Sequence, residues 1–442
     1  MRSTRRAALV VGMAAALVTA AASSGFASAP RATGPAPKAT DIGVTATTIH
    51  IAIIADVNTP LAPGLFKGSE DAIEAYARYI NAHGGLAGRK VAVDFYDSQL
   101  SADESRNALI QACAKDFATV GTTALFMNNV TDAINCKDIN GKPTGLPDVP
   151  ELTTEPVQQN SPVSFPILVP SQDFSDPSGH TFFQNSGEYY WFQKHVTKNL
   201  HGMFLIPADL PATINSTLPT IFAAQKLGVK VDHEFNVYGM GTQNDYLPIT
   251  AAIKSANATY VRGGSNDVSM ADMRLEAQQQ GVTSVKIWDC SLSCYSQRFL
   301  QLAGPAANGT YIETSFVPLE EAKDSPPVAA YLKAVGKANA DGFGQQAWTA
   351  ALFFQDVVQK IVAADGVNGL TRANFLATAK TEHNFTAQGM IGPEDVGGHK
   401  QGPCFALLQV RNDKFVRVYP SKPATFDCNP KNIVEAHGTL PG

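Results

Sequence analysis

Residues 80–99, I-N-A-H-G-G-L-A-G-R-K-V-A-V-D-F-Y-D-S-Q, constrain the fold more than any other stretch of the chain. Just upstream, Ile73, Tyr76, Ala77 and Ile80 recur at helical spacing and share one face. Gly84 and Gly85 predict the end of that helix, because glycine enters the left-handed C′ conformation without a Cβ penalty. Gly88 allows a second tight turn. Val91, Val93 and Phe95 then alternate with polar or small residues, the two-residue period of a strand. An earlier strand is predicted over residues 49–54, followed by a loop over residues 56–67. Strand, loop, helix, glycine turn and strand make one βαβ unit. Its parallel sheet puts the first loop at a binding edge.

The string I-N-x-x-G-G-L-x-G-R-K is more specific than the unit that contains it. It resembles the type I periplasmic solute-binding proteins of ABC transporters, in the branched-chain amino-acid (Leu/Ile/Val)-binding subfamily. A second segment, M-I-G-P-E-D-V-G-G-H-K-Q-G-P at residues 390–403, is similar to that family's G-x-x-x-F-D-x-x-G segment, with Glu394-Asp395 lacking the usual aromatic. The resemblance implies two doubly wound, Rossmann-like α/β lobes joined by three crossover segments. It also implies hinge closure around a ligand and ABC-transporter permease subunits as partners.

The ends of the chain suit export. Arg2, Arg5 and Arg6 precede an apolar run over residues 7–22 that is too short for a membrane span, and Ala27-Ser28-Ala29 supplies an A-x-A site. Residues 1–29 are therefore read as a cleaved signal peptide, and residues 30–45 as a flexible lead-in. Thr4-Arg5-Arg6 resembles part of a twin-arginine signal, but an ordinary secretory signal fits these cues better. The first cysteine is Cys113, so the chain lacks the cysteine behind the signal through which many members of the resembled family are lipid-anchored. A periplasmic or secreted monomer with no direct membrane anchor is expected.

Six cysteines in an exported chain favour disulfides. Proximity in sequence points to Cys113–Cys136, Cys290–Cys294 and Cys404–Cys428 among fifteen conceivable pairings, and the resemblance adds support for the first. C-S-L-S-C at residues 290–294 is not C-x-x-C, and no histidine pair sits at ligand spacing, so no metal is expected. The net charge of −5 comes without any basic run, which argues against a nucleic-acid partner.

Alternating strand and helix patterns continue beyond residue 99. Ser101 and Glu104 are placed to cap a helix. Helices are predicted over residues 188–200, 326–340 and 345–364, and a strand over residues 309–317. Segments rich in Pro, Ser and Gly interrupt the rhythm and are read as crossovers. Lobe 1 is expected to comprise residues 46–175 plus 318–392, and lobe 2 residues 176–317 plus 393–442. The aromatic run Tyr189-Tyr190-Trp191-Phe192 is spread around a helix and reads as core, as does Trp348.

In such lobes ligands sit beyond the carboxyl ends of the strands. Thr122 and Thr123 follow one strand and Thr153 and Thr154 another, and hydroxyls with free backbone N–H groups there can hold a carboxylate. The resemblance implies that these two loops grip an α-carboxylate; helix capping is the competing role. Ser265 lies on a third loop. Asp289 falls where the resembled family presents an acid to an α-ammonium, with an N-cap role as the alternative. The family often carries a tyrosine over the ligand after the first strand of lobe 2, and residues 207–210 have none.

No G-x-S-x-G, G-x-x-x-x-G-K-[ST] or H-E-x-x-H motif is present, so no catalytic residue and no cofactor is expected. The expected function is capture of a small polar metabolite, an amino acid or related carboxylate or amide, for an ABC importer. The alternatives are a soluble sensor that presents its ligand to a receptor and, less well supported, a secreted α/β enzyme.

Overall fold

A computed structural model describes residues 35–59, 63–207, 211–237, 241–263 and 266–441. The expected signal peptide and Ser265 lie outside the described residues. The chain first forms β1 (Thr48–Ala55), α1 (Lys67–Ala82), β2 (Lys90–Asp97), α2 (Ala102–Lys115), β3 (Ala118–Val120), α3 (Thr131–Ile134), β4 (Asp148–Val149) and α4 (Pro156–Gln159). The four strands pair in parallel in the order β2–β1–β3–β4.

The glycine segment does local work here. Gly84 and Gly85 adopt φ of +101° and +78°, and the Gly85 N–H donates to the Ile80 carbonyl at 2.9 Å to close α1. Leu86 and Arg89 exchange backbone hydrogen bonds across the next turn, which launches β2. Arg89 is 2% exposed and donates to the carbonyls of Lys38, Thr45, Ala87 and Val367. The motif's arginine is thus a clamp between the start of the sheet and a distant loop. Ser101 caps α2 by accepting from the Glu104 N–H at 3.3 Å.

The next run is β5 (Thr181–Asn185), α5 (Gly187–His195), β6 (His201–Pro207), α6 (Pro211–Lys226), β7 (Lys230–Val237), α7 (Leu247–Ser255), β8 (Tyr260–Gly263), α8 (Asp267–Gln279), β9 (Ile287–Cys290), α9 (Gln297–Ala303) and β10 (Thr310–Thr314). Three helices without strands follow, α10 (Pro326–Val335), α11 (Gly342–Asp365) and α12 (Arg372–Ala379). The chain ends with β11 (Ala406–Val410), β12 (Phe415–Tyr419) and β13 (Ile433–His437). The second sheet has the order β12–β11–β10–β9–β8–β6–β7, parallel from β7 to β10 and antiparallel at β11 and β12.

Two sheets organise separate cores. The first core draws on residues from Val44 to Val169 and from Phe316 to Val396. In the second sheet, neighbouring strand residues point to opposite faces, so Met203, Val261 and Ile312 feed one core while Phe204, Tyr260 and Tyr311 feed the other. The chain passes between the first sheet's core and the second sheet's cores three times. Disulfides join Cys113 to Cys136, Cys290 to Cys294 and Cys404 to Cys428.

Several elements differ from the sequence-based expectation. The helix expected over 188–200 ends at His195, and the strand expected over 309–317 ends at Thr314. The helix expected to reach residue 340 stops at Val335, because Gly336 turns to φ +89°. The antiparallel pair β5–β13 was not expected, since each strand is short and its partner lies some 250 residues away in the chain. Trp348 is core, packed edge-on against Tyr76 at 5.4 Å. In the aromatic run, Tyr189 and Phe192 are buried while Tyr190 is exposed.

Candidate functional site

Carboxyl ends of strands from both sheets meet at one cavity of about 540 Å³. This is the position at which open α/β sheets bind ligands, because loops there are free of the hydrogen-bond ladder. The first sheet contributes Leu65 and Phe66 after β1, Leu100 after β2, Leu125 after β3, and Leu152 and Thr154 after β4. Leu168 joins them, and the start of α11 adds Asp341, Gly342, Phe343 and Gln346. This wall is mostly apolar. Phe66 and Phe343 pack edge to face at 5.0 Å and hold its shape.

Buried acids beneath that wall organise the loops. Asp56, fully buried, accepts from the Ser98 hydroxyl and from the Leu100 and Leu125 N–H groups at 2.7, 2.7 and 2.9 Å. One carboxylate therefore fixes the loops after β1, β2 and β3. Burial raises its pKa, and the three hydrogen bonds oppose that rise. Asp148 collects the hydroxyls of Thr119, Thr122 and Ser164 and the Gln158 amide, at distances from 2.6 to 3.1 Å.

The second sheet supplies the polar side. Arg262, at the end of β8, and Glu313, in β10, both line the cavity. The Arg262 Nη1 donates to Asp289 Oδ2 at 2.6 Å and lies 3.9 Å from Glu188. Tyr260 also donates to Asp289 Oδ2, at 2.5 Å. Three carboxyl groups thus surround one guanidinium. Burial, against the pull of Arg262 and with a further push from Asp289, brings Glu313 up to about 7. Glu188, buried behind it, is also driven well above the usual carboxylate range, by burial and then by Glu313. Ser291, Ser293 and Tyr295 complete this side on the turn closed by Cys290–Cys294.

The sequence-derived candidates divide under this geometry. Thr154 lines the cavity, with its hydroxyl donating to the Leu125 carbonyl at 2.8 Å. Thr122 and Thr123 lie beneath the surface and spend their hydroxyls on Asp148 and on the Gly121 carbonyl. Thr153 is buried, and its hydroxyl has no protein partner among the described residues. Asp289 is fully buried behind Arg262, outside the cavity lining, and the following turn is preceded by Ser291 instead. Arg262 and Glu313 escaped the sequence reading. Their signal was a charged residue inside an otherwise apolar strand, T-Y-V-R-G and T-Y-I-E-T.

Comparison with known proteins agrees with this architecture. The family model described as periplasmic binding protein matches residues 48–414. No curated protein matches the chain. Among solved structures, a leucine-binding protein from Thermotoga maritima superposes with a TM-score of 0.63 at 16% identity, over 84% of this chain and 97% of that one. A branched-chain amino-acid transporter substrate-binding protein from Streptococcus pneumoniae, in complex with isoleucine, gives 0.62 at 15% identity, over 84% and 100%. A fatty acid ABC transporter substrate-binding protein from Thermomonospora curvata gives 0.64 at 17% identity, over 87% and 97%. At these identities the likeness is one of fold.

Proposed function

The chain belongs to the periplasmic binding protein family, and we propose that it is the extracytoplasmic substrate-binding subunit of an ABC importer, closing two lobes on an amino acid or a closely related carboxylate or amide. The observation that carries this reading is the cavity between the two sheets, apolar on one wall and charged on the other. A zwitterion with an apolar side group matches both walls. Its carboxylate faces Arg262, its ammonium faces Glu313, and its side group packs on Leu65, Leu125, Leu152 and Phe343. The polar grip is then made by Arg262 and Glu313 of the second sheet, whereas the sequence pointed to the threonines of the first for the carboxylate and to Asp289 of the second for the ammonium. A desolvated charge-assisted pair on each head group supplies orientation, and the leucine wall supplies selectivity for apolar side groups.

A thermal-shift screen over apolar, polar and charged amino acids, their amides and short carboxylic acids tests the reading. A ligand at 100 times its Kd stabilises the folded chain by about 2.7 kcal/mol. Large apolar amino acids are expected to give the largest shifts. Chemical turnover of a bound compound, followed by mass spectrometry, would overturn the assignment as a binding protein. A screen led by small, fully polar ligands would overturn the role given to the leucine wall.

A further inference from the structure

Away from the cavity, the first sheet brings three more donors together. His50 on β1 and Asp94 on β2 share a face, because the register pairs His50 with Ala92 and Ala52 with Asp94. His50 Nδ1 lies 3.1 Å from Asp94 Oδ2. Asp116 links α2 to β3, and it is drawn to the same spot when the Phe117 N–H donates to the His50 carbonyl at 2.8 Å. Arg372 donates to the Asp116 carbonyl from the other side. One donor atom from each of His50, Asp94 and Asp116 lies within 4.8 Å of the other two. None of the three lines the cavity.

Asp116 gives the cluster its meaning. It is fully buried; Tyr96 donates to Oδ2 at 3.0 Å, and Oδ1 has no hydrogen-bond partner among the described residues. An orphaned carboxylate oxygen is costly to bury, and a second carboxylate beside it makes the ionised state costlier still. Burial, and then Asp94, pushes Asp116 up to about 8, with Tyr96 and Lys115 pulling the other way. A proton shared by the two acids would relieve this, with the His50 imidazole still hydrogen-bonded to Asp94 at 3.1 Å. A divalent cation uses all three donors at once.

We propose that His50, Asp94 and Asp116 bind one divalent transition-metal ion, with zinc the ion that one imidazole and two carboxylates suit best. Bonds of about 2.0–2.2 Å bring ligand atoms closer than their present spacing. His50 and Asp94, whose side chains are 39% and 42% exposed, are free to rotate inward, and their open side leaves room for a water ligand. The bound ion joins β1, β2 and the link into β3 into one unit, distinct from the ligand cavity.

Calorimetric titration of the tag-free, metal-stripped protein with zinc chloride tests the site. The expected result is saturable binding of one ion per chain, with a zinc-dependent rise in thermal midpoint. His50→Gln and Asp94→Asn, both at half-exposed positions, should each weaken that binding by about 100-fold or more. X-ray absorption of the loaded protein should show only nitrogen and oxygen neighbours. Absence of one-to-one binding would overturn the site, and so would equal affinity in wild type and both variants. Either result would assign the cluster to a carboxyl pair sharing a proton.

Discussion

At the cavity floor one guanidinium stands among three carboxyl groups, and only Glu313 of the three faces the ligand space. Its proton has a direct consequence for binding. Glu313 is half-protonated near pH 7, because burial raises it and Asp289 adds to the rise. Only its ionised form pairs with a ligand ammonium. Between pH 6 and pH 8 the ionised fraction grows about tenfold, so the affinity for an amino acid should rise by about the same factor. In Glu313→Gln the affinity should be lower at pH 8 and flat across this range, as isothermal titration at the two pH values would show. A wild-type affinity that falls with rising pH would place an anionic head at Glu313 and refute the pairing. This residue also shows what the sequence conceals. The loops that frame the cavity could be found from strand ends alone. A threonine hydroxyl at such an end reads the same whether it meets a ligand or, like Thr122, a buried Asp148. Asp289 reads as a ligand contact until the fold sets Arg262 in front of it, and that pairing joins positions 27 residues apart. The same holds for His50, Asp94 and Asp116, whose separation in sequence hides them from any spacing rule.

Among the elements, the helix–turn–strand of residues 67–97 shows how a short glycine pattern sets a sheet. Gly84 and Gly85 both have positive φ, yet they differ in their surroundings. A Cβ on Gly84 would meet nothing within 4 Å, whereas one on Gly85 would lie 2.0 Å from the Arg89 carbonyl oxygen. Gly84→Ala should therefore cost only backbone strain, about 1–2 kcal/mol. Gly85→Ala adds a clash with backbone that cannot move without releasing Arg89 from its four carbonyls, and about 3 kcal/mol or more is expected. Denaturant melts of the two variants side by side would check the difference; equal losses would show that the turn relaxes freely. This region was legible because each signal is local: a helical face, a glycine stop, an alternating strand. The pair β5–β13 was not legible for the opposite reason. Five-residue strands carry little periodicity, and their register depends on a partner at the other end of the chain. The helix that ends at His195 was overrun because Val196 and Leu200 continue its apolar spacing, and the one that ends at Val335 because Ala338 and Ala340 stand beyond the turn at Gly336.

For the whole molecule, the proposed function asks two cores to move relative to each other and yet meet around a ligand. Leu292 sits at that meeting. It is carried by the turn closed by Cys290–Cys294, and it packs against the cores of both the first and the second sheet. Its neighbour across the cavity is Gly342, the first residue of α11, where a Cβ would lie 2.9 Å from Leu292 Cγ. The crossing segment that follows β10 is held independently, by Arg417 of β12 pairing with Glu321 at 2.8 Å. Adding a methyl group at Gly342 therefore presses on the approach of the two lobes without touching the crossover. Gly342→Ala should reduce the population of the closed arrangement. Because apparent Kd scales inversely with the binding-competent fraction, ligand affinity should fall about three- to tenfold. The thermal midpoint without ligand should hold or rise slightly, since alanine favours the helix over glycine. Small-angle scattering at saturating ligand should return the wild-type radius of gyration, because enough ligand still drives closure. A variant with unchanged affinity would mean that Leu292 yields by rotation and that the lobes meet elsewhere. A variant that loses affinity and stability together would mean that the contact belongs to folding, not to closure.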